Sequence, residues 1–397
     1  MLTDRNIVLG ITGGIAAYKA ADLASKLTQA GAAVNVVMTE SATEFVSPLT
    51  FRALTHRPVV TGMFELTSEF SVEHIALAEA ANIVVIAPAT ANIIAKLAAG
   101  IADDMLTCTV LATEAPVVIA PAMNVNMWQN SITQENIARL KARGFTIVEP
   151  EYGRLAEGMM GMGRLAETGE IMGIIQQVLG RNGDLAQRHI VVTAGGTREA
   201  IDPVRYIGNR SSGKMGFALV EAARDRGATA VLIAAATSLP APAGIEVVNV
   251  ESVAEMKEAV IETTRQADVL IMAAAVSDFQ MAEQADQKIK KQGGKLSLGL
   301  VGTEDFLLKL PDSFLKIGFA AETENLLENA RKKLSEKRLE FICANDVTAA
   351  DSGFGTDTNK VTLLYPDGKT EDLPLMTKRE VADVILDRVV AILGKKA

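Results

Sequence analysis

Short apolar runs alternate with longer amphipathic segments along the whole chain. Each apolar run in the first half has the length of a β-strand, and the segments between the runs are long enough to be crossover helices. This alternation predicts a parallel, doubly wound sheet covered by helices. The first helix is expected from Ile15 to about Ala30, and the predicted strands are Asn6–Ile11, Ala33–Met38, Ile83–Ala87 and Val117–Ala120.

The pattern breaks once, in a polar and glycine-containing stretch at residues 180–184. The same alternation then begins again, which predicts a second α/β domain and a boundary near residue 185. The two predicted domains are residues 1–185 and residues 186–397. Strands of the second domain are expected at His189–Ala194, Ala230–Ala234, Val269–Ala273, Ile317–Ala320 and Phe341–Ala344.

The composition is that of a globular protein, since 49% of the 397 residues are hydrophobic and charged residues are spread throughout. A chain of this length usually forms more than one core, which supports two domains. The net charge of −9 gives no basic field, so we expect no nucleic-acid partner. No apolar run approaches the roughly 20 residues that cross a bilayer, and no cleavage-type segment follows Met1, so we expect a cytoplasmic protein without a membrane partner.

The cysteines and histidines suggest neither a disulfide framework nor a zinc site. Cys108 and Cys343 lie far apart in apolar stretches, which favours buried, reduced thiols. The chain has three histidines, and none of them forms a tight cluster with cysteine. We therefore expect no metal site built from these residue types.

Four small-residue segments follow predicted strands of the first half, at the sheet edge where open parallel sheets bind ligands. Amides at helix N-termini favour phosphate there, whereas tight packing explains the glycines equally well. The first turn also lacks the G-x-G-x-x-G pattern, so these residues alone leave both a flavin or phosphate site and a packing role open. The segments are Thr12-Gly13-Gly14, Thr39-Glu40-Ser41, Pro88-Ala89-Thr90-Ala91-Asn92 and Pro121-Ala122-Met123-Asn124.

His74 is a candidate base in the first half. It follows Ser71, a suitable N-cap, and would lie in the first turn of a helix over Val72–Ala80. The helix dipole disfavours imidazolium at that position, so a neutral imidazole would be ready to accept a proton. The alternative is a histidine that only helps to cap the helix.

Five segments of the first half, taken together, resemble the flavin-dependent cysteine decarboxylases, specifically the phosphopantothenoylcysteine decarboxylase domain. The resemblance covers nearly all of residues 1–175, and we expect a flavodoxin-like sheet. The segments are Gly13-Gly14-Ile15-Ala16-Ala17-Tyr18-Lys19, Met38-Thr39-Glu40, His74-Ile75, Ala87-Pro88-Ala89-Thr90-Ala91-Asn92 and Pro121-Ala122-Met123-Asn124.

This resemblance implies that FMN oxidises the thiol of the substrate's cysteine, that CO2 then leaves, and that the reduced flavin returns its hydride to the enethiol. His74 would be the base, and Asn124 would bind the substrate carboxylate. FMN would lie between subunits of a trimer. The residues implied to bind FMN are Gly13, Gly14, Thr39, Ala89, Thr90, Ala91, Asn92 and Ala122.

One position departs from the pattern of these decarboxylases. They carry, in a lid after Pro-Ala-Met-Asn, a cysteine that donates the proton of the last step, in a pattern like Ala-Cys-Gly followed by Gly-x-Gly-Arg. The matching segment here is residues 156–164, and Glu157 occupies the cysteine position. A carboxylic acid can act as a general acid if burial raises its pKa, as closure of the lid over Glu157 would do, so we predict that Glu157 is catalytic. The alternative is a solvated lid residue and an impaired reduction step.

The second half carries two long, polar, glycine-bearing connections, residues 195–214 and 279–304, where ligands are expected. In the first, Gly208-x4-Gly213-Lys214 imitates a P-loop, but Met215 replaces the metal-binding hydroxyl residue and no strand feeds the loop directly. We reject a P-loop. The loop can still cradle a phosphate through its amides, with Arg205, Arg210 and Lys214 nearby.

Lysines of the second half have two interpretations. Lys288-Ile289-Lys290-Lys291 is typical of a solvated loop. Lys333 and Lys337 share one helical face, which gives either an exposed charged stripe or a pair of cations facing a triphosphate. Without further context the exposed stripe is favoured.

Seven segments of the second half resemble the phosphopantothenate-cysteine ligase domain, from about residue 188 onward, and we expect a Rossmann-like sheet. The segments are Thr193-Ala194-Gly195, Asp202-Pro203-Val204-Arg205-Tyr206-Ile207, Asn209-x-Ser211-Ser212-Gly213-Lys214-Met215-Gly216, Ala273-Ala274-Ala275-Val276-x-Asp278, Lys288-Ile289-Lys290-Lys291, Gly318-Phe319-Ala320-Ala321-Glu322-Thr323 and Ala344-Asn345-Asp346. The match is weaker at Glu304-Asp305, where this family often has Pro-Asp.

The second resemblance implies that CTP activates the carboxylate of 4'-phosphopantothenate as an acyl-cytidylate, which the amine of cysteine then attacks. Lys288 would stabilise the phosphoryl charge and Asn209 would act in the second step. Mg2+ would arrive with CTP, and Asp278 is the possible protein ligand. The implied CTP residues are Ala273, Ala274, Asp278, Lys288, Asp305, Phe319, Lys333 and Lys337, and those for phosphopantothenate are Arg205, Asn209, Ser211, Ser212, Gly213 and Lys214.

The two resemblances together imply successive steps of coenzyme A synthesis. Two alternatives are a flavoprotein regulatory subunit and an active ligase fused to a decarboxylase domain that cannot complete its reaction. Retention of His74 and Asn124, together with the ligase half, argues against the regulatory subunit. Trimeric N-terminal domains combined with paired ligase domains would give a dodecamer.

Overall fold

The computed structural model describes residues 2–63, 73–291, 296–322, 325–346, 353 and 355–396. Contacts divide the chain into two compact units, Met1–Leu179 and Gly180–Ala397. Each unit has its own parallel sheet and its own hydrophobic core. The expected α/β class with two doubly wound domains is confirmed.

The first unit contains a six-stranded parallel sheet in the order β3-β2-β1-β4-β5-β6. Without the two-residue edge strand β3, the order is that of a flavodoxin-like sheet. A separate hairpin, β7–β8, follows the sheet. The strands are β1 (Asn6–Ile11), β2 (Ala33–Met38), β3 (Val59–Val60), β4 (Ile83–Ala89), β5 (Val117–Pro121), β6 (Thr146–Ile147), β7 (Glu151–Arg154) and β8 (Met160–Arg164).

Strand β1 explains why the first-half strands are continuous apolar runs. Ile7 and Leu9 pack into one hydrophobic cluster, whereas Val8 packs into another on the opposite face of the sheet. A sheet buried on both faces needs apolar side chains at successive positions. The helices of the unit are α1 (Lys19–Gln29), α2 (Glu40–Thr43), α3 (Pro48–Thr55), α4 (Glu73–Ala80), α5 (Ala91–Ala99), α6 (Met105–Ala112), α7 (Val125–Gln129), α8 (Ser131–Ala142) and α9 (Thr168–Gly180), and a 3-10 helix spans Ile15–Tyr18.

The second unit contains an eight-stranded sheet in the order β13-β12-β9-β14-β17-β18-β20-β21. Its first six strands are parallel and follow the Rossmann order. Strand β20 then pairs antiparallel with β18, and β21 pairs antiparallel with β20. The strands are β9 (His189–Ala194), β10 (Arg198–Asp202), β11 (Arg205–Gly208), β12 (Thr229–Ala234), β13 (Glu246–Asn249), β14 (Val269–Met272), β15 (Phe279–Met281), β16 (Leu300–Gly302), β17 (Leu315–Glu322), β18 (Phe341–Asp346), β19 (Thr358–Asn359), β20 (Val361–Leu364), β21 (Thr370–Asp372) and β22 (Met376–Thr377).

Helices cover this sheet as the alternation predicts. They are α10 (Lys214–Asp225), α11 (Val253–Thr263), α12 (Leu326–Glu336) and α13 (Lys378–Lys396), with 3-10 helices at Thr264–Gln266 and Phe306–Lys309. The two long connections of this half contain small antiparallel pairs, β10–β11 and β15–β16, which the sequence pattern did not predict. A search of the described residues finds no helix long and apolar enough to cross a membrane.

Candidate functional site

In the first unit, the loops after β1, β4 and β5 are tied together at the carboxyl edge of the sheet. The Thr12 hydroxyl donates a hydrogen bond to the carbonyl oxygen of Pro88 at 2.8 Å and accepts one from the amide of Thr90 at 3.0 Å. The amide of Ala122 donates to the carbonyl oxygen of Ala89 at 3.0 Å. The segments that carry the predicted FMN residues therefore end strands of one sheet at one edge, with Thr39 following the neighbouring strand β2.

Positions 13 and 14 differ in how much room they leave for a side chain. A Cβ at Gly13 would lie 2.4 Å from the Cβ of Ser41, so packing alone requires glycine there. A Cβ at Gly14 would meet only the Cγ2 of Thr90, at 3.8 Å, and Gly14 has an extended backbone that any residue adopts. Gly14 therefore leaves open space beside the N-terminus of α5, which Thr90 caps.

Asn124 has a fixed side-chain orientation. It is the N-cap of α7, and its Oδ1 accepts a hydrogen bond from the amide of Asn126 at 2.8 Å. The Nδ2 group, which can only donate, is thereby directed away from the helix and donates to the Oε1 atom of Glu157. The structure thus brings together two predicted catalytic residues that are 33 positions apart in the sequence.

Glu157 lies at the tip of the β7–β8 hairpin, where it is exposed. Strand β8 runs directly along the segment that carries Asn124, since the amide of Met123 donates to the carbonyl oxygen of Gly163 at 3.0 Å. Gly163 has no room for a Cβ, because that atom would lie 2.2 Å from the carbonyl oxygen of Met123. Gly161 likewise leaves no room for a Cβ, which would lie 2.7 Å from the Cγ2 of Val125. These glycines let the hairpin dock beside Asn124.

His74 is the second residue of α4 and is half-buried. Helix α4 leads into β4 and packs against α6, so its first turn lies toward the carboxyl edge of the parallel sheet. The proposed N-cap Ser71 lies outside the described residues, as does Thr323 of the second half. The role of His74 as a base remains a prediction.

The second unit contains a cavity of about 540 Å³ at the carboxyl edge of its sheet. Its lining includes every predicted ligase-site residue except Arg205 and Lys288. The predicted residues that line it are Asn209, Ser211, Ser212, Gly213, Lys214, Ala273, Ala274, Asp278, Asp305, Phe319, Lys333 and Lys337.

Buried hydroxyl groups hold one wall of this cavity. The amide of Ala274 donates to the Thr193 hydroxyl at 3.1 Å, and the amide of Ser277 donates to the Thr197 hydroxyl at 2.8 Å. The side-chain Nδ2 of Asn209 donates to the carbonyl oxygen of Val276 at 2.8 Å. Thr193 in β9 and Thr197 in the loop after it therefore position the chain from Ala274 to Ser277, and Asn209 is bonded to that chain at Val276.

A pair of lysines on α12 forms one cationic group of the cavity. Lys333 and Lys337 are half-buried, so the favoured expectation of an exposed stripe is wrong. Lys337 forms an ion pair of 2.8 Å with Asp305. The adjacent Glu304 instead accepts hydrogen bonds from Lys257 and Lys309, which lower its pKa to about 2.

Arg205, which does not line the cavity, contacts the residue that follows Lys288. The carboxylate of Asp202 is fully buried and accepts hydrogen bonds from the Arg205 guanidinium and from the amide of Ile289, the latter at 3.1 Å. Arg205 also donates to the carbonyl oxygen of Ile289 at 2.8 Å. The guanidinium holds the pKa of Asp202 well below its usual range. Asp202 and Arg205 thus clamp the backbone next to Lys288.

Sequence patterns missed several polar residues of the cavity. They include Thr303, which lies in the 279–304 connection but in no motif, and Asn359 and Lys378, which lie in segments that carry no recognisable ligand pattern. Lys214 donates to the carbonyl oxygen of Gly355 at 2.9 Å and forms an ion pair of 2.6 Å with Asp357. The first turn of α10 is therefore tied to the segment just before β19.

Within the described part of the chain, no group of three or more His, Cys, Asp or Glu side chains is arranged to hold a metal ion. Asp278, the possible magnesium ligand, is exposed at the cavity wall. Both cysteines are free, and Cys343 is buried as expected, whereas Cys108 is only half-buried.

Comparison with known proteins divides the chain in the same region as its contacts. Residues 1–180 match the family model described as Flavoprotein, and residues 185–393 match the model described as DNA/pantothenate metabolism flavoprotein C-terminal domain. The coenzyme A biosynthesis bifunctional protein CoaBC of Bacillus subtilis (strain 168) is 48% identical, with 99% of this chain and 98% of that protein aligned. The protein of the same description from Escherichia coli (strain K12) is 41% identical over 100% of this chain and 99% of its own.

Solved structures also resemble each half. The crystal structure of the C-terminal domain of a coenzyme A biosynthesis bifunctional protein CoaBC is 40% identical, covers 54% of this chain and 99% of that one, and has a TM-score of 0.47. The FMN-dependent cysteine decarboxylase SpaF is 34% identical, covers 45% of this chain and 97% of that one, and has a TM-score of 0.40.

Proposed function

The chain belongs to the family of coenzyme A biosynthesis bifunctional proteins, and from this premise we propose that its halves catalyse two successive steps of that synthesis. Residues 186–397 join 4'-phosphopantothenate to cysteine at the expense of CTP. Residues 1–185 then decarboxylate phosphopantothenoylcysteine to 4'-phosphopantetheine with FMN. The boundary is supported by the compact units, which meet at Leu179 and Gly180.

The ligase proposal is carried by the cavity of the second unit. Residues from five separate segments of the sequence, chosen for nucleotide and phosphopantothenate binding, line this single space. Cationic side chains of α12 and the amides of the loop before α10 suit two phosphate-bearing substrates. Mg2+ would accompany the triphosphate, with Asp278 as its protein contact.

Two residues have separate roles in the ligation. Lys288 would stabilise the charge that develops on the α-phosphate while the substrate carboxylate attacks it and pyrophosphate leaves. Asn209, held by the carbonyl oxygen of Val276, would act on the acyl-cytidylate when the amine of cysteine displaces CMP. The clamp formed by Asp202 and Arg205 limits where the backbone next to Lys288 can lie.

Substitution of these two residues tests the ligase proposal. Lys288→Gln should abolish pyrophosphate release, because a neutral amide cannot compensate the phosphoryl charge. Asn209→Asp should release pyrophosphate but accumulate the acyl-cytidylate. Lys360→Gln, which changes an exposed lysine outside the cavity, is the control. Normal pyrophosphate release and normal product formation in both variants would refute the ligase proposal.

The decarboxylase proposal assigns one chemical task to each named side chain. When bound, FMN supplies the two-electron oxidation and the later reduction of the substrate's cysteine moiety. His74 would take the thiol proton as a neutral imidazole. Asn124 would donate its amide hydrogens to the substrate carboxylate, because its oxygen is already engaged with Asn126. Glu157, at the same amide, would give a proton to the enethiol carbon in the last step.

We also propose where and in what form the enzyme works. Both cysteines are free thiols, which suits the reducing cytoplasm. Large apolar side chains are exposed in each unit, such as Ile15 and Tyr18 in the first and Tyr206 and Phe279 in the second. Such surfaces are typical of subunit contacts and support trimers of the first unit and pairs of the second. Light scattering of the full chain and of residues 1–185 would measure both contacts.

A further inference from the structure

The ligase cavity has a second cationic group, in which the sequence patterns indicated Lys214 but not Lys378. Lys378 lines the cavity together with Lys214, and it is only 7% exposed. Its ammonium group donates to the carbonyl oxygens of Gly353, Thr356 and Thr358, at 3.3 Å for the first and last. A lysine buried to this degree at the wall of a cavity needs a physical reason.

The charge of Lys378 is not neutralised by an ion pair. Among the described residues its polar contacts are carbonyl and hydroxyl oxygens, and no carboxylate lies within 4.0 Å of its ammonium group. Burial and the neighbouring positive charge of Lys214 lower the pKa of Lys378. The carboxylate of Asp357 pairs with Lys214 but is largely exposed to solvent. An anion in the cavity would relieve the repulsion between the two lysines.

Helix geometry adds to this preference for an anion. Helix α10 begins at Lys214 and α13 begins at Lys378, so the N-termini of two long helices lie at the same end of the cavity. Each N-terminus carries a partial positive charge and unpaired amides. This end is therefore electropositive through its backbone as well as its side chains.

The two cationic groups of the cavity lie on different parts of the sheet. Helix α12, with Lys333 and Lys337, packs on β17 and β18, whereas α10 packs on β9 and β12. Strand β14 separates β9 from β17. The proposed reaction brings two phosphate-bearing molecules into one cavity, a nucleoside triphosphate and a phosphate monoester. One cationic group for each phosphate-bearing molecule would explain why the cavity has two such groups.

We propose that Lys378 is a specificity-determining residue of the ligase half, which together with Lys214 binds the phosphate monoester of 4'-phosphopantothenate. This inference rests on the proposed function, because it takes its ligand from the ligation reaction. Lys378 would recognise the phosphate and would have no part in activating the carboxylate at the other end of the molecule.

Calorimetric titration of the full-length protein tests this assignment directly. The probes are 4'-phosphopantothenate, pantothenate, which lacks the phosphate, and CTP. Lys378→Gln keeps an amide donor for the three carbonyl oxygens but removes the charge. It should weaken binding of 4'-phosphopantothenate by about 10-fold or more, as expected when a hydrogen bond to a charged group is lost. Pantothenate and CTP should bind as they do to the wild type.

Two variants separate recognition from folding. Lys378→Arg retains the charge and should recover most of the affinity for 4'-phosphopantothenate. Lys360→Gln removes a nearby exposed lysine and should change nothing. Melting temperatures of all three variants identify any loss of folded protein. If Lys378→Gln fails to fold, the Arg variant decides: retained binding of 4'-phosphopantothenate by folded Lys378→Arg supports charge recognition, and weak binding by that folded variant overturns it.

If Lys378→Gln weakened the binding of 4'-phosphopantothenate and of pantothenate equally, the inference would be overturned, because Lys378 would then only support the fold. Weaker binding of CTP alone would overturn it as well, since Lys378 would then bind the nucleotide. The proposed ligase function fails in a different way. In that case the wild type makes no product, while the binding data on Lys378 still decide the inference.

Discussion

The side-chain amide of Asn124 donates a hydrogen bond to the carboxylate of Glu157. Asn124 cannot turn its oxygen toward Glu157 without losing the cap of α7, because that oxygen accepts the amide hydrogen of Asn126. The predicted binder of the substrate carboxylate is thus already bonded to a carboxylate of the chain itself. A substrate carboxylate must either share the two amide hydrogens with Glu157, which would keep Glu157 beside the reacting group, or displace it.

Substitution of Glu157 should separate the two halves of the decarboxylase reaction. We expect Glu157→Gln to oxidise and decarboxylate the substrate but to accumulate enethiol and reduced flavin, since Gln has no acidic proton to give. Loss of a general acid typically costs about 10²–10⁴-fold in rate, so the effect is easy to measure by stopped-flow flavin absorbance and mass spectrometry. Glu157→Cys should turn over.

The opposite pattern would identify Glu157 as a solvated lid residue. The wild type would then accumulate enethiol, Glu157→Gln would change little, and Glu157→Cys would improve turnover. Equal turnover of all three proteins would assign the proton to water or to another residue.

Gly163 tests whether docking of the hairpin is needed for decarboxylation. Gly163→Ala places a Cβ 2.2 Å from the carbonyl oxygen of Met123, at a φ of +141°, so the hairpin must move away from Asn124. A displacement of about 1 Å can cost on the order of 10²-fold in rate. Gly169→Ala is the matched control, because a Cβ there meets nothing within 4 Å. Equal decarboxylation rates in the two variants would show that the docked hairpin is dispensable.

Substitution of Gly14 should test flavin binding without disturbing the fold. The position has room for a side chain, so Gly14→Val should lack the yellow colour of bound flavin and should melt at the same temperature as flavin-free wild type. Ligase activity should be retained. Gly13→Ala should lower the melting temperature instead, because its Cβ meets Ser41. Full flavin content in Gly14→Val would mean that the flavin does not contact this turn.

Asp202 should control the segment that carries Lys288. Asp202→Asn weakens the link to Arg205 and Ile289, so trypsin should cleave after Lys288 faster and ligation should slow by roughly 10-fold. Asp286→Asn, a change of an exposed acid in the same segment, is the control. Unchanged cleavage and ligation in Asp202→Asn would show that the clamp has no functional role.

The clamp should also have a defined pH dependence. The pKa of Asp202 is lowered from its ordinary value of 3.8, chiefly by hydrogen bonds from Arg205. Folding therefore stabilises the ionised form of Asp202. Its contribution to the stability of the folded state is complete above the ordinary pKa of 3.8 and declines as the pH falls toward the lowered pKa. The difference in cleavage between wild type and Asp202→Asn should accordingly be constant across the neutral range.

The central strands could be predicted from the sequence because they are buried on both faces. Asn6–Ile11 and His189–Ala194 have the same bounds in the structure as in the sequence analysis. The β7–β8 hairpin could not be predicted, because glycine and methionine at positions 158–163 show no alternation of apolar and polar side chains. Gly161 and Gly163 are needed for contacts with a segment almost 40 residues earlier in the chain, and only the fold reveals that need.

The candidate sites were predictable to different extents. Ala273 directly follows β14 and Phe319 lies near the carboxyl end of β17, so topology and family resemblance together anticipated their meeting in one cavity. Lys378 was missed because it begins an ordinary helix more than 160 residues after Lys214. The partner of Asn124 was also unforeseen, since a hydrogen bond between side chains depends on tertiary packing rather than on local sequence.

The most direct test of the whole account is a single reaction of the full-length protein with 4'-phosphopantothenate, cysteine and CTP, followed by mass spectrometry. The account predicts 4'-phosphopantetheine with a saturated thiol, together with equal amounts of pyrophosphate and CO2. Persistence of 4'-phosphopantothenate with no pyrophosphate would contradict the ligase assignment, and persistence of the acylcysteine would contradict the decarboxylase assignment. An enethiol as the final product would contradict the role of Glu157.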